Sequence, residues 1–158
     1  MIILGIDPGT ATTGYGLVES TPQKKLQLIE YGCIKTSKTN SLADRLAEIY
    51  NDLDQLIKKY RPHKIAVESV YFYNNVKTAI AVAQARGVIL LAAQKNKILI
   101  VELTPLQVKN SLTNYGKADK KQMQFMVKIL LGLDTAPKPD DAADALALAI
   151  CGANRNLS

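Results

Sequence analysis

Polar turns separate three short apolar runs at the start of the chain. The runs predict strands at 2–7, 15–19 and 26–34. The connections between them, 8–14 and 20–25, are short and polar, which is typical of antiparallel neighbours. We therefore expect the chain to begin with three meandering strands.

The next segment has apolar side chains at steps of three and four, the spacing of one face of an amphipathic helix. Its apolar positions are Leu42, Leu46, Ile49, Leu53, Leu56, Ile57 and Tyr60. Ser41, with Asp44 three residues later, has the sequence of a capping box, and Pro62 marks the end of the helix.

Helices and strands alternate over the rest of the chain. The predicted elements are a strand at 64–70, a helix at 76–95, a strand at 98–103, and helices behind the Thr104 cap, from about 119 to 131 and from 140 to about 151. This order predicts an α/β fold, with a five-stranded mixed sheet flanked by helices. The strands that run parallel, 2–7, 64–70 and 98–103, are expected side by side at the centre of the sheet.

Length and composition indicate one ordinary globular domain. The chain has 158 residues, and we expect a single domain over 1–158 with about the last six residues as a flexible tail. It carries 20 Lys and Arg against 14 Asp and Glu, a net charge of +6, which hints at a polyanionic partner.

Cysteine usage and the N-terminus favour a cytoplasmic protein. Cys33 and Cys151 lie in no spacing typical of metal ligands, so we interpret both as buried apolar thiols in a reducing compartment. The N-terminus has no basic region followed by an apolar signal core. The apolar segment at 76–93 includes Lys77 and Arg86, which argues against a membrane span.

Two acidic residues lie where strands of the predicted sheet end. Asp7 closes the first strand, and Glu68 lies near the end of the strand at 64–70. Open α/β sheets place their functional sites at the carboxyl ends of adjacent strands. A carboxylate is rarely buried without a partner, so Asp7 is expected to meet another charged group or a metal ion.

A second acidic cluster lies in the segment "PDDAADALALAI". Asp141 and Asp144 are three residues apart on one face of a helix, and Asp140 is expected to be the N-cap. Capping does not explain Asp144, because its neighbours are all apolar and must face the sheet.

Asp7, Glu68, Asp141 and Asp144 can therefore converge. No Lys or Arg that would neutralise them is evident nearby in the sequence. Oxygen-rich acidic sites select Mg²⁺ or Mn²⁺, and two such ions about 3.5–4 Å apart can cleave a phosphodiester bond.

Five motifs resemble those of the RuvC family of bacterial Holliday-junction resolvases. In chain order they are "GIDPGTATTGYG", "AVESVY", "QARGV", "TPLQVKNSL" and "DDAADALALAI", and they span residues 2 to about 151. The resemblance implies an RNase H-like fold and a homodimer. It also implies Mg²⁺-dependent, symmetrically paired nicking of four-way DNA junctions during recombination and repair, with the RuvA–RuvB branch-migration complex as a partner.

The resemblance assigns the family's four catalytic, metal-binding acids to Asp7, Glu68, Asp141 and Asp144. Two Mg²⁺ ions for each active site are implied, with Mn²⁺ as a substitute. The Asp140–Asp141 doublet leaves open which of the two is the ligand, although the D-x-x-D spacing favours Asp141.

Basic and aromatic residues are candidates for the DNA-facing surface. Residues 104–128 contain five lysines and one acid, a local charge of +4. Lys109 and Lys120 match family positions that approach the cleaved phosphate, whereas Lys128 is interpreted as part of a solvated helix face. Tyr71 matches an aromatic position of the family and is a candidate for stacking on junction bases.

The helix at 76–95 is apolar on more than one face, which suits a two-fold contact with a second copy.

Three other functions remain alternatives. They are an RNase H-like nuclease for RNA or other branched DNA, a junction-binding protein without cleavage, and a protein of the sugar-kinase and actin-like ATPase class. In the last class the glycine-rich loop would bind the phosphates of ATP.

Overall fold

The computed structural model describes residues 1–23, 25–69 and 76–155, with side chains from residue 79 onward in the last range. The elements in these ranges are β1 (Ile2–Asp7), β2 (Thr12–Ser20), β3 (Leu26–Lys35), α1 (Leu42–Tyr60), β4 (Lys64–Glu68), α2 (Val76–Lys95), β5 (Leu99–Leu103), α3 (Pro105–Thr113), α4 (Lys120–Leu131) and α5 (Asp140–Asn154). Within the described ranges, no helix is both long and apolar enough to span a bilayer.

The five strands form one mixed sheet in the order β3-β2-β1-β4-β5. β1 is antiparallel to β2 and parallel to β4, and β4 is parallel to β5. The predicted meander and the adjacency of the three parallel strands are confirmed. The central place predicted for β5 is wrong, because the chain after it is helical where the structure describes it, and β5 remains at the edge.

Two element ends differ from the predictions by about three residues, and the other ends differ by less. β2 begins three residues earlier than predicted, because Thr12 pairs with Lys35 and extends the ladder into the glycine-rich loop. α5 continues to Asn154, so part of the predicted tail is helical, and residues 156–158 lie outside the described ranges.

The caps of α1 and α3 follow the predicted chemistry, with one difference at α1. Thr104 and Gln107 form a full capping box at α3. At α1 only half of the box forms, because the Ser41 hydroxyl accepts from the Asp44 amide and also donates to the Asp44 carboxylate.

Helices cover both faces of the sheet and enclose two apolar cores. One core lies between the sheet and α3, α4 and α5, and the other lies beneath α1 and α2. α5 is the most buried helix, with an unbroken buried run from Ala145 to Gly152. A helix buried on every side has no free polar face, so an acid on it must lie at its edge or in a site.

Glycines allow the backbone of α5 to lie directly on β1 and β2. A Cβ atom on Gly5 would come within 2.0 Å of the Ala145 carbonyl oxygen, and one on Gly14 within 2.0 Å of the Asp141 carbonyl oxygen. No larger residue fits at either position, because the obstructing atoms belong to the helix backbone. Since Gly14 pairs with Asp7, this contact sets the first turn of α5 above the end of β1.

A buried lysine holds the other end of α5. Lys64, the first residue of β4, is 8% exposed, and its Nζ donates to the Arg155 carbonyl at 2.7 Å. The last carbonyl groups of a helix carry a partial negative charge and lack partners within the helix. Lys64 supplies both the charge and the donor, so α5 is fixed to the sheet at both ends.

Candidate active site

The sheet directs Asp7 and Glu68 to the face that α5 covers. Side chains alternate along a strand, and Gly5, two residues before Asp7, lies against α5. Ala66, two residues before Glu68, contacts the position of Gly152 on the same helix. The two carboxylates therefore leave adjacent strand ends on the same side, as the sequence predicted.

α5 adds a third carboxylate to these two. Asp144 lies one turn into the helix and lines a cavity of about 230 Å³ together with Asp7 and Glu68. Lys109 from α3 and Lys120 from α4 line the same cavity. Its remaining wall is apolar and consists of Pro105, Val108, Met123, Ala147 and Leu148.

Burial and nearby negative charges raise the pKa values of the three cavity carboxylates. Burial, followed by the charges of Asp144, Glu68 and Asp141, raises the pKa of Asp7 to about 7, against the weaker opposing effect of Lys120. Burial and then the charge of Asp144 raise the pKa of Glu68. Burial also raises the pKa of Asp144, although Lys120 opposes it. Each group thus responds to others that are distant from it in sequence.

Asp141 lies at the margin of this cluster. Its charge raises the pKa values of Asp7 and Asp144, but its side chain does not line the cavity. In the ranges that the structure describes, no three His, Cys, Asp or Glu side chains are already arranged as a ligand shell for a metal ion. The structure therefore brings three of the four predicted acids into one cavity and places the fourth beside it.

Lys120 is paired with acidic residues of α5. Its Nζ lies 3.1 Å from an Asp140 oxygen and 3.4 Å from an Asp144 oxygen. The other Asp140 oxygen accepts from the Gln124 side chain at 2.9 Å. α4 thus supplies a half-exposed cation to these acids from outside the acidic segment.

These contacts also correct the prediction for Asp140. The N-cap of α5 is Pro139, without a side-chain hydrogen bond, and Asp140 is the first helical residue. Its carboxylate turns toward α4, where the hydrogen bond and charge of Lys120 lower its pKa. Asp140 is exposed, so the energy of this ion pair is small and its main effect is on where Lys120 lies.

The structure places both predicted DNA-facing lysines at the cavity, and their role toward DNA stays a prediction. Lys109 is half-buried on α3, whereas Lys120 begins α4 behind the Asp119 cap. Tyr71, the third residue predicted to contact DNA, lies outside the described residues.

The prediction of two buried thiols is correct for Cys151 only. Cys33 is half-buried on β3, where it pairs with Gly14. Burial, followed by the charge of Asp141, raises the pKa of its thiol. Cys33 therefore lies beside the first turn of α5, a position that its apolar neighbours in the sequence do not reveal.

The chain is similar to junction-cleaving nucleases over nearly its whole length. Residues 3–152 match the family model described as crossover junction endodeoxyribonuclease RuvC. The chain is 51% identical over 154 residues to the crossover junction endodeoxyribonuclease RuvC of Fusobacterium nucleatum, covering 98% of this chain and 80% of that protein. It is 53% identical over 154 residues to the RuvC of Alkaliphilus metalliredigens, covering 98% and 93%.

A solved structure shares the fold. The structure described as Thermus thermophilus RuvC in complex with a Holliday junction substrate has a TM-score of 0.87 and is 32% identical, covering 96% of this chain and 92% of that one. The predicted family resemblance and the predicted RNase H-like α/β fold are confirmed.

The raised pKa of Asp7 predicts how its charge affects stability. In the unfolded chain its pKa is 3.8 and in the folded protein about 7, so between these values only the folded state keeps the proton. Its contribution to stability is therefore present below about pH 4 and is lost as the pH rises through 7. Asp7→Asn should stabilise the metal-free protein at pH 8 by on the order of 2–4 kcal/mol, and by little at pH 4.

Thermal unfolding in EDTA across this pH range measures the difference between the two proteins. Asp134→Asn, which changes an exposed acid outside the site, should differ little from the wild type at any pH. A stability difference for Asp7→Asn that does not change with pH would contradict the electrostatic description of the cavity.

Proposed function

Because the chain belongs to the RuvC family of crossover junction endodeoxyribonucleases, we propose that its acidic cavity hydrolyses phosphodiester bonds of four-way junction DNA. The observation that carries this proposal is the convergence of Asp7, Glu68 and Asp144 in one cavity that Lys109 and Lys120 also line. An acidic centre suits divalent cations, and a basic margin suits the phosphates on either side of the cleaved bond.

We further propose that these acids, with Asp141, hold two Mg²⁺ ions, for which Mn²⁺ can substitute. The donors are all carboxylate oxygens, whose crowding a divalent cation would relieve. Bound there, the ions would supply Lewis-acid chemistry for the attacking water and the leaving oxygen. Asp141 is favoured over Asp140 as the fourth ligand, because its charge acts on Asp7, whereas the Asp140 carboxylate turns to α4 and accepts from Gln124.

The residues around the cavity would orient the DNA backbone. Lys109 and Lys120 supply positive charge where a phosphate must lie. The loop after β1 is held by bonds from the Thr13 hydroxyl to the Gly9 carbonyl and from the Thr36 hydroxyl to the Thr10 carbonyl. The small residues of this loop leave room for the DNA strand to approach closely. Tyr71 is proposed to stack on bases that are opened at the crossover.

An exposed stripe on α2 supports a homodimer. Ile80, Gln84, Gly87 and Leu91 recur at helical spacing, and Ile80 and Leu91 are 55% and 54% exposed. A Cβ atom on Gly87 would meet nothing within 4 Å, so a second helix can approach there. Two-fold packing of this stripe would present two cavities to two strands of the junction, as paired nicks require.

We also keep the predicted single domain, the cytoplasmic location and the contact with the RuvA–RuvB complex as parts of this proposal. Cleavage of RNA or of other branched DNA remains the alternative within the same fold. Comparing nicking of four-way, three-way and linear DNA with cleavage of RNA decides between them.

Substituting Asp7 should separate cleavage from binding. With Mg²⁺, the wild type should introduce paired nicks in a synthetic four-way junction and leave linear duplex intact. Asp7→Asn should lower the nicking rate by more than about 100-fold, because it removes a metal ligand. Its affinity for the junction should be retained, because no contact with a phosphate is lost.

Substituting Lys109 should instead affect the binding of the junction. Lys109→Glu should weaken junction binding and reduce the salt dependence of binding by the contribution of about one phosphate contact. Gel-shift titrations at several salt concentrations, combined with single-turnover nicking, give both quantities. Normal nicking by Asp7→Asn would contradict the proposed site.

Charge in the α2 stripe should prevent dimerisation. Leu91→Asp places a carboxylate in the proposed two-fold contact, so it should elute as a monomer where the wild type is a dimer. Ile129→Asp, at an equally exposed apolar position on α4, is the matched control and should remain dimeric. Light scattering after gel filtration measures the mass, and a Leu91→Asp protein with the wild-type mass would reject this interface.

A further inference from the structure

Arg86 on α2 contacts the backbone of Glu68. Its Nε donates to the Glu68 carbonyl oxygen at 3.2 Å, and its Nη2 forms an ion pair with the Glu102 carboxylate. The Arg86 side chain is only 21% exposed. One guanidinium group therefore joins α2 to the ends of two neighbouring strands.

Arg86 acts from the face of the sheet opposite the cavity. Val67 belongs to the core beneath α1 and α2, and Ala66 to the core beneath α5, so Glu68 directs its side chain toward α5. Val101 and Leu103 also face α5, which puts Glu102 on the α2 face with Arg86. Arg86 does not line the cavity, and its described polar contacts are with Glu68 and Glu102.

Glu68 lies where the strand ladder ends. The pairing of β1 with β4 stops at Val67, one residue before it. On the other side, the Ser69 amide donates to the Leu103 carbonyl at 2.8 Å. The guanidinium supplies a donor to the Glu68 carbonyl, and this strand end is thus held by contacts on β5 and α2.

We propose that Arg86 is a positioning residue, which sets the direction of the Glu68 carboxylate by holding its backbone from across the sheet. This inference rests on the proposed function in one respect, that Glu68 takes part in holding a divalent cation. A site of this kind depends on supporting contacts that fix each ligand, and a ligand at a loose strand end loses affinity and rate.

The chemistry of Arg86 makes substitution informative. The planar guanidinium has donors in fixed directions, so it can serve a carbonyl and a carboxylate together. A lysine ammonium carries the same charge but lacks the planar set of donors. It would bind either the Glu68 carbonyl or the Glu102 carboxylate at the expense of the other. Arg86→Lys is therefore expected to rank between the wild type and Arg86→Gln.

The test measures Mn²⁺ binding and nicking with the full chain. Calorimetric titration with Mn²⁺ should give a Kd about tenfold weaker for Arg86→Gln than for the wild type, the size seen when a ligand loses its supporting partner. The affinity for the junction in EDTA should stay within about twofold of the wild-type value, because Arg86 lies outside the cavity and is not one of its lysines. The Mg²⁺ concentration for half-maximal nicking should rise in parallel with the Mn²⁺ Kd.

Glu102→Gln is the matched control, because it removes the ion pair and leaves the bond from Arg86 to the Glu68 carbonyl. Positioning predicts a much smaller change in Mn²⁺ affinity for Glu102→Gln than for Arg86→Gln. Equal effects of the two variants, or wild-type Mn²⁺ affinity in Arg86→Gln, overturn the inference. Should circular dichroism show Arg86→Gln to be unfolded, the same comparison is made with Arg86→Lys.

The inference and the proposed function can fail separately. A wild-type protein that binds Mn²⁺ but does not nick junctions contradicts the proposed function, and the affinity difference between Arg86→Gln and Glu102→Gln still decides the role of Arg86. A wild-type protein that nicks junctions, with an Arg86→Gln variant of the same Mg²⁺ requirement, overturns the inference alone. A wild-type protein that binds no Mn²⁺ contradicts both.

Discussion

The close contact between the backbone of α5 and the strands β1 and β2 is the constraint on which the site depends. It exists because Gly5 and Gly14 have no side chain where the helix backbone lies. If α5 were lifted by the thickness of one methyl group, Asp144 would move away from Asp7, although the secondary structure would be the same. The buried Lys64 at the other end of the helix prevents the same displacement there. The glycine-rich first motif thus serves packing as much as access to the site.

That packing produces an electrostatic imbalance, which the protein corrects only in part. Three carboxylates share the cavity with a fourth beside it, and Lys120 approaches them from a half-exposed position. Burial and repulsion are strong enough to raise the pKa of Asp7 to about 7. Local arrangements that cost stability are typical of functional sites, since a core selected for stability alone would not retain such a cluster. The imbalance is what suits the site to divalent cations.

Features with a local signal could be predicted from the sequence. Periodicity and capping residues located α1 and α3, and the apolar surroundings of Asp144 indicated that it faces the sheet. The joint position of Asp7 and Glu68 followed from a general rule about strand ends.

Features that depend on how distant elements meet could not be predicted. Asp140 has the sequence of an N-cap, yet its carboxylate turns to α4 because Lys120 and Gln124 lie there. Arg86 belongs to a family motif and interrupts an apolar segment, but nothing in its neighbourhood shows that it reaches across to Glu68. Cys33 is half-buried because the start of α5, rather than more of the core, covers it.

Diffraction from crystals of the metal-free protein soaked in Mn²⁺, recorded at the manganese edge, tests the convergence of the acids most directly. We expect anomalous peaks in the cavity within coordination distance of oxygen atoms of Asp7, Glu68 and Asp144, with Asp141 rather than Asp140 as the fourth ligand. A cavity without a peak at millimolar Mn²⁺, or a peak held by other residues, would contradict this convergence.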